Sequence, residues 1–330
     1  MDSVSQFALG AAIAEATLGR QLGRRALVVG GLLGTLPDLD VLVQYSDAVA
    51  SFTYHRSWSH SLFVLAIVSP ILAWLLQRLY PTINYSRWCL CVFLVLTTHP
   101  ILDGFTVYGT QLLWPLPVEP IAWATIFIID PMYTVPLLIG AWIAWRNRSL
   151  ARRTMCLALF VSSGYLFLTV LSQQHARNVA HVSLQEQKMS TANVLIAPAP
   201  FSLLWRIVAM DGELYHEGFY SLLDTSKSIR FKSYESHRDL IDDQFSHWPI
   251  ARLDWFTSSF ISASRVDNNL VINDLRMGVE ANYVFRFLVG RWSETDFEPL
   301  ESVQMPLQLN NDRVLRIVRR TWDEQVNVDP

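Results

Sequence analysis

Between residues 37 and 60, in PDLDVLVQYSDAVASFTYHRSWSH, two carboxylates (Asp38, Asp40) and two imidazoles (His55, His60) stand between hydrophobic segments. Carboxylate oxygen and imidazole nitrogen are the usual ligands of a divalent ion such as zinc or manganese. A second pair, His99 and Asp103 in VFLVLTTHPILDGFTVYGT, is four residues apart and so projects from one face of a helix. Ionisable groups inside an apolar helix are costly to bury and are usually functional. The three pieces read as one polar site between membrane helices. In it Asp38, Asp40, His55, His60, His99 and Asp103 ligate one or two divalent ions, zinc before manganese. The plainer alternatives are a His and an Asp that hydrogen-bond neighbouring chains at a helix end, and an Asp-rich turn.

His55 and His60 are five apart, so on one regular helix they would diverge by about 140°, at roughly 100° per residue. They converge only with His55 in a loop and His60 in the helix, capped by Ser57 or Ser59. Arg56 between them offers a donor fork to an anion such as phosphate, or pairs with a nearby Asp. Glu15 and Asp130 stand in apolar surroundings, as ligands, as groups orienting a ligand or water, as a general base, or as ties between helices. His175, His181, His216, His237 and His247 show no ligand spacing and read as surface or structural residues.

The elements that must position these groups are mostly apolar. At 330 residues and 51 % hydrophobic content, the chain suits two domains and is too apolar for an ordinary soluble protein. Residues 1–172 carry eight acidic and ten basic side chains, a net +2, whereas 173–330 carry the other 21 and 16, a net −5. The division is therefore a membrane-embedded helical domain over 1–172 and a soluble α+β domain over 173–330.

Residues 6–18 and the run ending at Pro37 form a helical hairpin with short arms, in which Gly30, Gly31 and Gly34 allow close helix contact. Residues 61–79 form the clearest span, with Pro70 as a kink. Residues 88–102 form another, 121–145 a third with a break at Asp130 before Pro131, and 154–172 the last, for about four to six hydrophobic helices in all. Loops 19–25, 78–87 and 146–153 hold nine arginines, while the alternate side holds only Arg56. The positive-inside rule then makes the chain a multi-pass inner-membrane protein with its polar site and C-terminal domain on the extracytoplasmic side. In that domain, strands flank Met210-Asp211-Gly212-Glu213 and Asp267-Asn268-Asn269, a fifth covers 282–292, and 312–325 is helical, giving an antiparallel sheet.

Basic residues do not cluster as a nucleic-acid surface requires. Cys89, Cys91 and Cys156 lie in apolar runs and form no disulfide framework. A cleaved signal peptide is not expected, because no basic region followed by an apolar core and a small-residue site opens the chain. Membrane lipid is the expected partner, and the sequence does not set an oligomeric state.

PDLD at 37–40, HRSWSHS at 55–61, HPILDGFTVYGTQLLWP at 99–115 and IDPMYTVPLL at 129–138 resemble the YdjM-type family of membrane-bound metal-dependent hydrolases. The resemblance covers roughly 1–172. A longer-chain subset shares LLWRIVA at 203–209 and NDLRMG at 273–278. Shorter members often carry a His near the start where this chain has Gln6. The resemblance implies hydrolysis, and through a looser likeness to zinc-dependent phospholipases and nucleases it implies a phosphoester substrate. Two other classes stand beside it: a non-enzymatic membrane protein whose polar cluster is structural or senses metal, with an outer domain that binds a partner, and a transporter using the cluster as an ion relay.

Overall fold

The structure, a computed structural model, describes residues 1–293, 297–307 and 311–328. It divides into two compact units, Met1–Val43 with His55–Thr169, and Gln44–Tyr54 with Val170–Pro330.

The first unit is helical. It opens with α1 (Ser3–Leu22), capped by the Asp2 carboxylate, which accepts from the Val4 and Ser5 amides, and α2 (Arg25–Thr35) packs back along it. The predicted close approach occurs along this hairpin. A Cβ on Gly30 would lie 2.3 Å from both the Gly10 carbonyl oxygen and Ala14 Cβ, and one on Gly34 would lie 2.6 Å from the Gln6 carbonyl oxygen. A 3-10 turn over Pro37–Leu42 follows. After α3 (Ala48–Tyr54), which belongs to the second unit, come α4 (Leu62–Leu79) and α5 (Tyr85–Gly104), and α4 continues through Pro70. Residues 121–130 are not helical, which corrects the expected start of the third span. Their backbone instead bonds to the end of α5 and the loop after it, through Trp123 N to Gly104 O, Thr125 N to Phe105 O and a Thr110–Ile121 bridge. Asp130 then caps α6 (Pro131–Arg146), and the break expected there is the helix start.

Among the described residues, three helices are long and apolar enough to cross a membrane: α4, α5 and α7 (Ala151–Glu186). On α4, Phe63, Ile67, Ile71, Trp74, Leu75 and Leu79 are exposed. A helix that shows this much apolar surface suits lipid rather than water. At 11 residues, α2 is about 16 Å long and cannot span a core of roughly 30 Å.

In the second unit the last part of α7 lays Ala176, Val179 and Ala180, at helical spacing, against Ile196, Trp205, Ile207 and Tyr220. The strands are β1 (Asn193–Pro198), β2 (Leu204–Asp211), β3 (Leu214–Ser221) and β4 (Lys232–Glu235), which form one antiparallel sheet in that order. After α8 (Trp248–Phe256) come β5 (Ile261–Val266), β6 (Asn269–Asp274), β7 (Gly278–Val279), β8 (Asn282–Tyr283), β9 (Arg286–Trp292) and β10 (Phe297–Gln304). The second sheet has the order β10-β9-β6-β5, β7 and β8 pair separately, and α9 (Asn311–Arg320) follows. The hairpins expected at Met210–Glu213 and Asp267–Asn269, the strand in 282–292 and the late helix are all present. Within this unit α3 inserts Phe52 among Phe256, Phe285 and Phe287, with ring centroids 4.4–5.2 Å apart.

Candidate metal centre

Four side chains from three places in the first unit meet with one donor atom each. Asp38 comes from the 3-10 turn after α2, His60 from a short turn before α4, and His99 and Asp103 from the face of α5. His60 Nε2 lies 3.2 Å from His99 Nε2, 3.5 Å from Asp38 Oδ1 and 3.2 Å from Asp103 Oδ2. His99 Nε2 lies 3.3 Å from Asp38 Oδ1 and 3.4 Å from Asp103 Oδ2. All four atoms fall within 4.8 Å of one another. A tetrahedral ion with bonds of about 2.0–2.1 Å holds its ligand atoms roughly 3.3–3.4 Å apart. The cluster can hold a metal ion.

The protons support this fit. His99 Nδ1 is 2.6 Å from the Gly34 carbonyl, which can only accept, so Nδ1 carries the hydrogen and Nε2 a lone pair. Ser59 donates its hydroxyl to Asp40 Oδ2 at 2.5 Å, so its oxygen accepts from His60 Nδ1 at 2.9 Å, and His60 Nε2 is also bare. Fixing a ligand imidazole through its other nitrogen is the usual arrangement around bound metals. Asp103 Oδ2 is buried and has no hydrogen-bond partner. With both imidazoles neutral, four lone-pair atoms face one another, an arrangement that a cation satisfies.

Asp40 and His55 lie beside the cluster. Asp40 accepts from His55 Nδ1 at 2.8 Å, the Arg56 amide at 2.9 Å and Ser59. Burial pushes the Asp40 carboxyl pKa up, but hydrogen bonds from His55 and Ser59 outweigh it and leave the group below the usual range, hence ionised. The His55 ring is half-buried and packs edge-on to Tyr108. His55 lies in the loop as expected, but His60 sits in a 3-10 turn rather than in the helix, His55 stays outside the four-donor cluster, and Ser61, rather than Ser57 or Ser59, caps α4. Arg56 is buried, with Nε 3.5 Å from Asp103 Oδ2 and its guanidinium 4.9 Å over the Tyr108 ring. Its backbone has φ 63°, a strained conformation for a side-chain-bearing residue, held by the bond to Asp40 and by Gln111 N donating to Arg56 O at 3.0 Å.

Glu15 and Asp130 are engaged elsewhere. The Glu15 carboxylate takes both Arg148 terminal nitrogens, at 2.7 and 2.9 Å. Asp130 accepts from the Met132 amide at 3.0 Å and the Tyr165 hydroxyl at 2.8 Å. These are ties between helices, one of the roles open to them from the sequence. Gln6, which stands where shorter family members carry a His, donates Nε2 to Asp103 Oδ1 at 3.0 Å and to the His99 carbonyl at 3.1 Å, a role that no ligand spacing in the sequence signals. The Met1 amine also contacts Asp103 Oδ1.

Apolar helices of spanning length around a buried His/Asp cluster define a membrane protein with a site able to hold metal. A family model described as YdjM inner membrane protein matches residues 1–176, and the chain belongs to that family. Over 94 residues it is 35 % identical to a protein of Escherichia coli (strain K12) named inner membrane protein YbcI, an overlap of 28 % of this chain and 54 % of that one. The chain spans about half the length of this curated relative. No solved structure matches it.

Proposed function

We propose that this protein is an inner-membrane hydrolase acting on a phosphoester of a membrane lipid at the extracytoplasmic face. Asp38, His60, His99 and Asp103 would hold one divalent ion, and zinc is the choice that best suits four nitrogen and oxygen donors at tetrahedral spacing. The observation that carries the proposal is the pair of Nε2 atoms 3.2 Å apart beside a buried Asp103 oxygen that accepts no hydrogen bond. Such an ion supplies a bound water of pKa near about 7 and charge neutralisation for a phosphoryl oxygen. The chain's own groups do the rest. Asp38, partly exposed, lines the approach; Arg56 orients an anionic oxygen; Asp40 locks His60 and His55 in position.

One observation favours a second reading. Four protein donors can close a tetrahedron, and closed sites are commonly structural, whereas catalytic ones keep a position open. In that reading the ion ties the α1–α2 hairpin, the turn before α4 and α5 together. Metal analysis of chelator-free protein beside Asp103→Asn, with turnover of phospholipids and a generic phosphodiester, separates the readings. Near-stoichiometric zinc with chelator-sensitive turnover that Asp103→Asn loses supports the hydrolase. Zinc without turnover above the variant's background leaves the structural reading, and no metal in either protein removes both.

A further inference from the structure

Gln6 is 1 % exposed on the face of α1 that meets α5. Both of its neighbours there, Asp103 Oδ1 and the His99 carbonyl, can only accept, so the amide must present its NH2 to them and its orientation is fixed. The arrangement leaves Gln6 Oε1 buried with no hydrogen-bond partner. An amide buried at that cost is hard to explain as packing, since an apolar side chain of the same volume would carry no unsatisfied oxygen. What the amide achieves is a division of the Asp103 carboxylate. Oδ1 is occupied by Gln6, with the Met1 amine also in contact, while Oδ2 alone turns toward His60 Nε2 and His99 Nε2. The bond to the His99 carbonyl comes from the same NH2, so a single side chain steadies both α5 donors.

We infer that Gln6 is a positioning residue of the metal centre, holding Asp103 as a one-oxygen ligand through Oδ2. The inference rests on the metal-binding reading of the cluster. Groups that orient ligands in this way are typically worth 10- to 100-fold in metal affinity. Gln6→Met keeps the volume and removes the donor. Gln6→His keeps an N–H at this depth, and Gln21→Met is a control on the same helix.

The experiment uses the full chain in detergent, with zinc affinity measured by chelator competition, the visible spectrum of the cobalt(II)-loaded protein, and melting in excess chelator. Gln6→Met is expected to bind zinc roughly 10-fold or more weakly than Gln21→Met. Its cobalt spectrum should also change as Asp103 loses one of the two contacts that hold Oδ1 away from the ion, while metal-free melting stays at the control value. Gln6→His should retain more affinity than Gln6→Met. Equal zinc affinity and identical cobalt spectra in Gln6→Met and the control overturn the inference while leaving the metal site standing. If Gln6→Met does not fold, Gln6→His decides, and a cobalt spectrum and zinc affinity as poor as those of Asp103→Asn overturn the inference. Absence of metal from the unmodified protein overturns the inference together with the reading beneath it.

Discussion

In a 3-10 turn, residues two apart are rotated by about 240°, so Asp38 and Asp40 point in different directions. Asp38 joins His60, His99 and Asp103, whereas Asp40 gathers His55, Ser59 and the Arg56 amide. This separates groups that would hold an ion from groups that would hold its ligands, and the two sets should respond differently to mutation. His60→Ala and His99→Ala are expected to abolish zinc retention, while His55→Ala and His237→Ala keep it, as read by metal content after desalting. Asp40→Asn should weaken zinc by roughly 10-fold rather than abolish it, because His60 loses its orienting chain and not its donor atom. Zinc loss in His55→Ala equal to that in His60→Ala would return His55 to the ligand set. His99 and Asp103 could be read from sequence because a four-residue spacing on an apolar helix has one geometric meaning. Gln6 could not, since a glutamine on a helix carries no ligand signature, and only the fold brings α1 against α5. Nor could the roles of Asp38 and Asp40 be told apart before the type of turn was known.

Helices and strands were legible to the degree that burial imprints a period on them. The long apolar runs gave α4, α5 and the start of α7. The continuation of α7 to Glu186 was missed because its stripe of Ala176, Val179, Ala180 and Leu184 is narrow and lies among polar residues. The strands found from sequence are β2, β3, β5, β6 and β9, whereas β1, β4 and β10, three of the four edges of the larger sheets, were missed together with the two-residue strand β7. Edges are short, charged or interrupted by Pro, as in Lys232–Glu235 and at Pro299 beside the β10 irregularity. The docking of Phe52 among the aromatics of the second unit had no local signal at all. The α1–α2 hairpin was legible through its glycines, and it bears on the site because Gln6 and the Gly34 carbonyl both belong to it. Gly30→Val sets side-chain atoms against the Gly10 carbonyl and Ala14, backbone and helix that cannot yield locally. Overpacking of this kind costs about 1–3 kcal/mol. Gly30→Val is therefore expected to lower the melting temperature in detergent and to weaken zinc retention with it. Gly164→Val, where an added Cβ meets nothing within 4 Å, should do neither. Normal zinc retention in a clearly destabilised Gly30→Val protein would uncouple the hairpin from the site.

At the scale of the whole molecule, the side of the membrane on which residues 170–330 lie turns on one short element. If α4 runs inward from the site and α5 outward, α7 carries the chain back out only when α6 has first brought it in. With 16 residues α6 is about 24 Å long, against a hydrocarbon core of roughly 30 Å. For α6 to cross, residues 121–130 before it must make up the difference. Residues 121–130 are apolar apart from Asp130, and their backbone bonds to Gly104, Phe105 and Thr110 leave fewer amides and carbonyls facing lipid. At the end of α6 and just past it, Arg146, Arg148, Arg152 and Arg153 favour the cytoplasm. Glu15 supports that crossing, since its pairing with Arg148 ties the far end of α6 to α1 beside the arginines of the first loop. Alkaline phosphatase fused after residue 330 is therefore expected to be active, and the same enzyme inserted at Ser149 inactive. The reverse pattern would mean that α6 does not cross and that the second unit lies in the cytoplasm. Activity at both positions would show that neither α6 nor α7 crosses, with the arginine cluster outside against the charge rule.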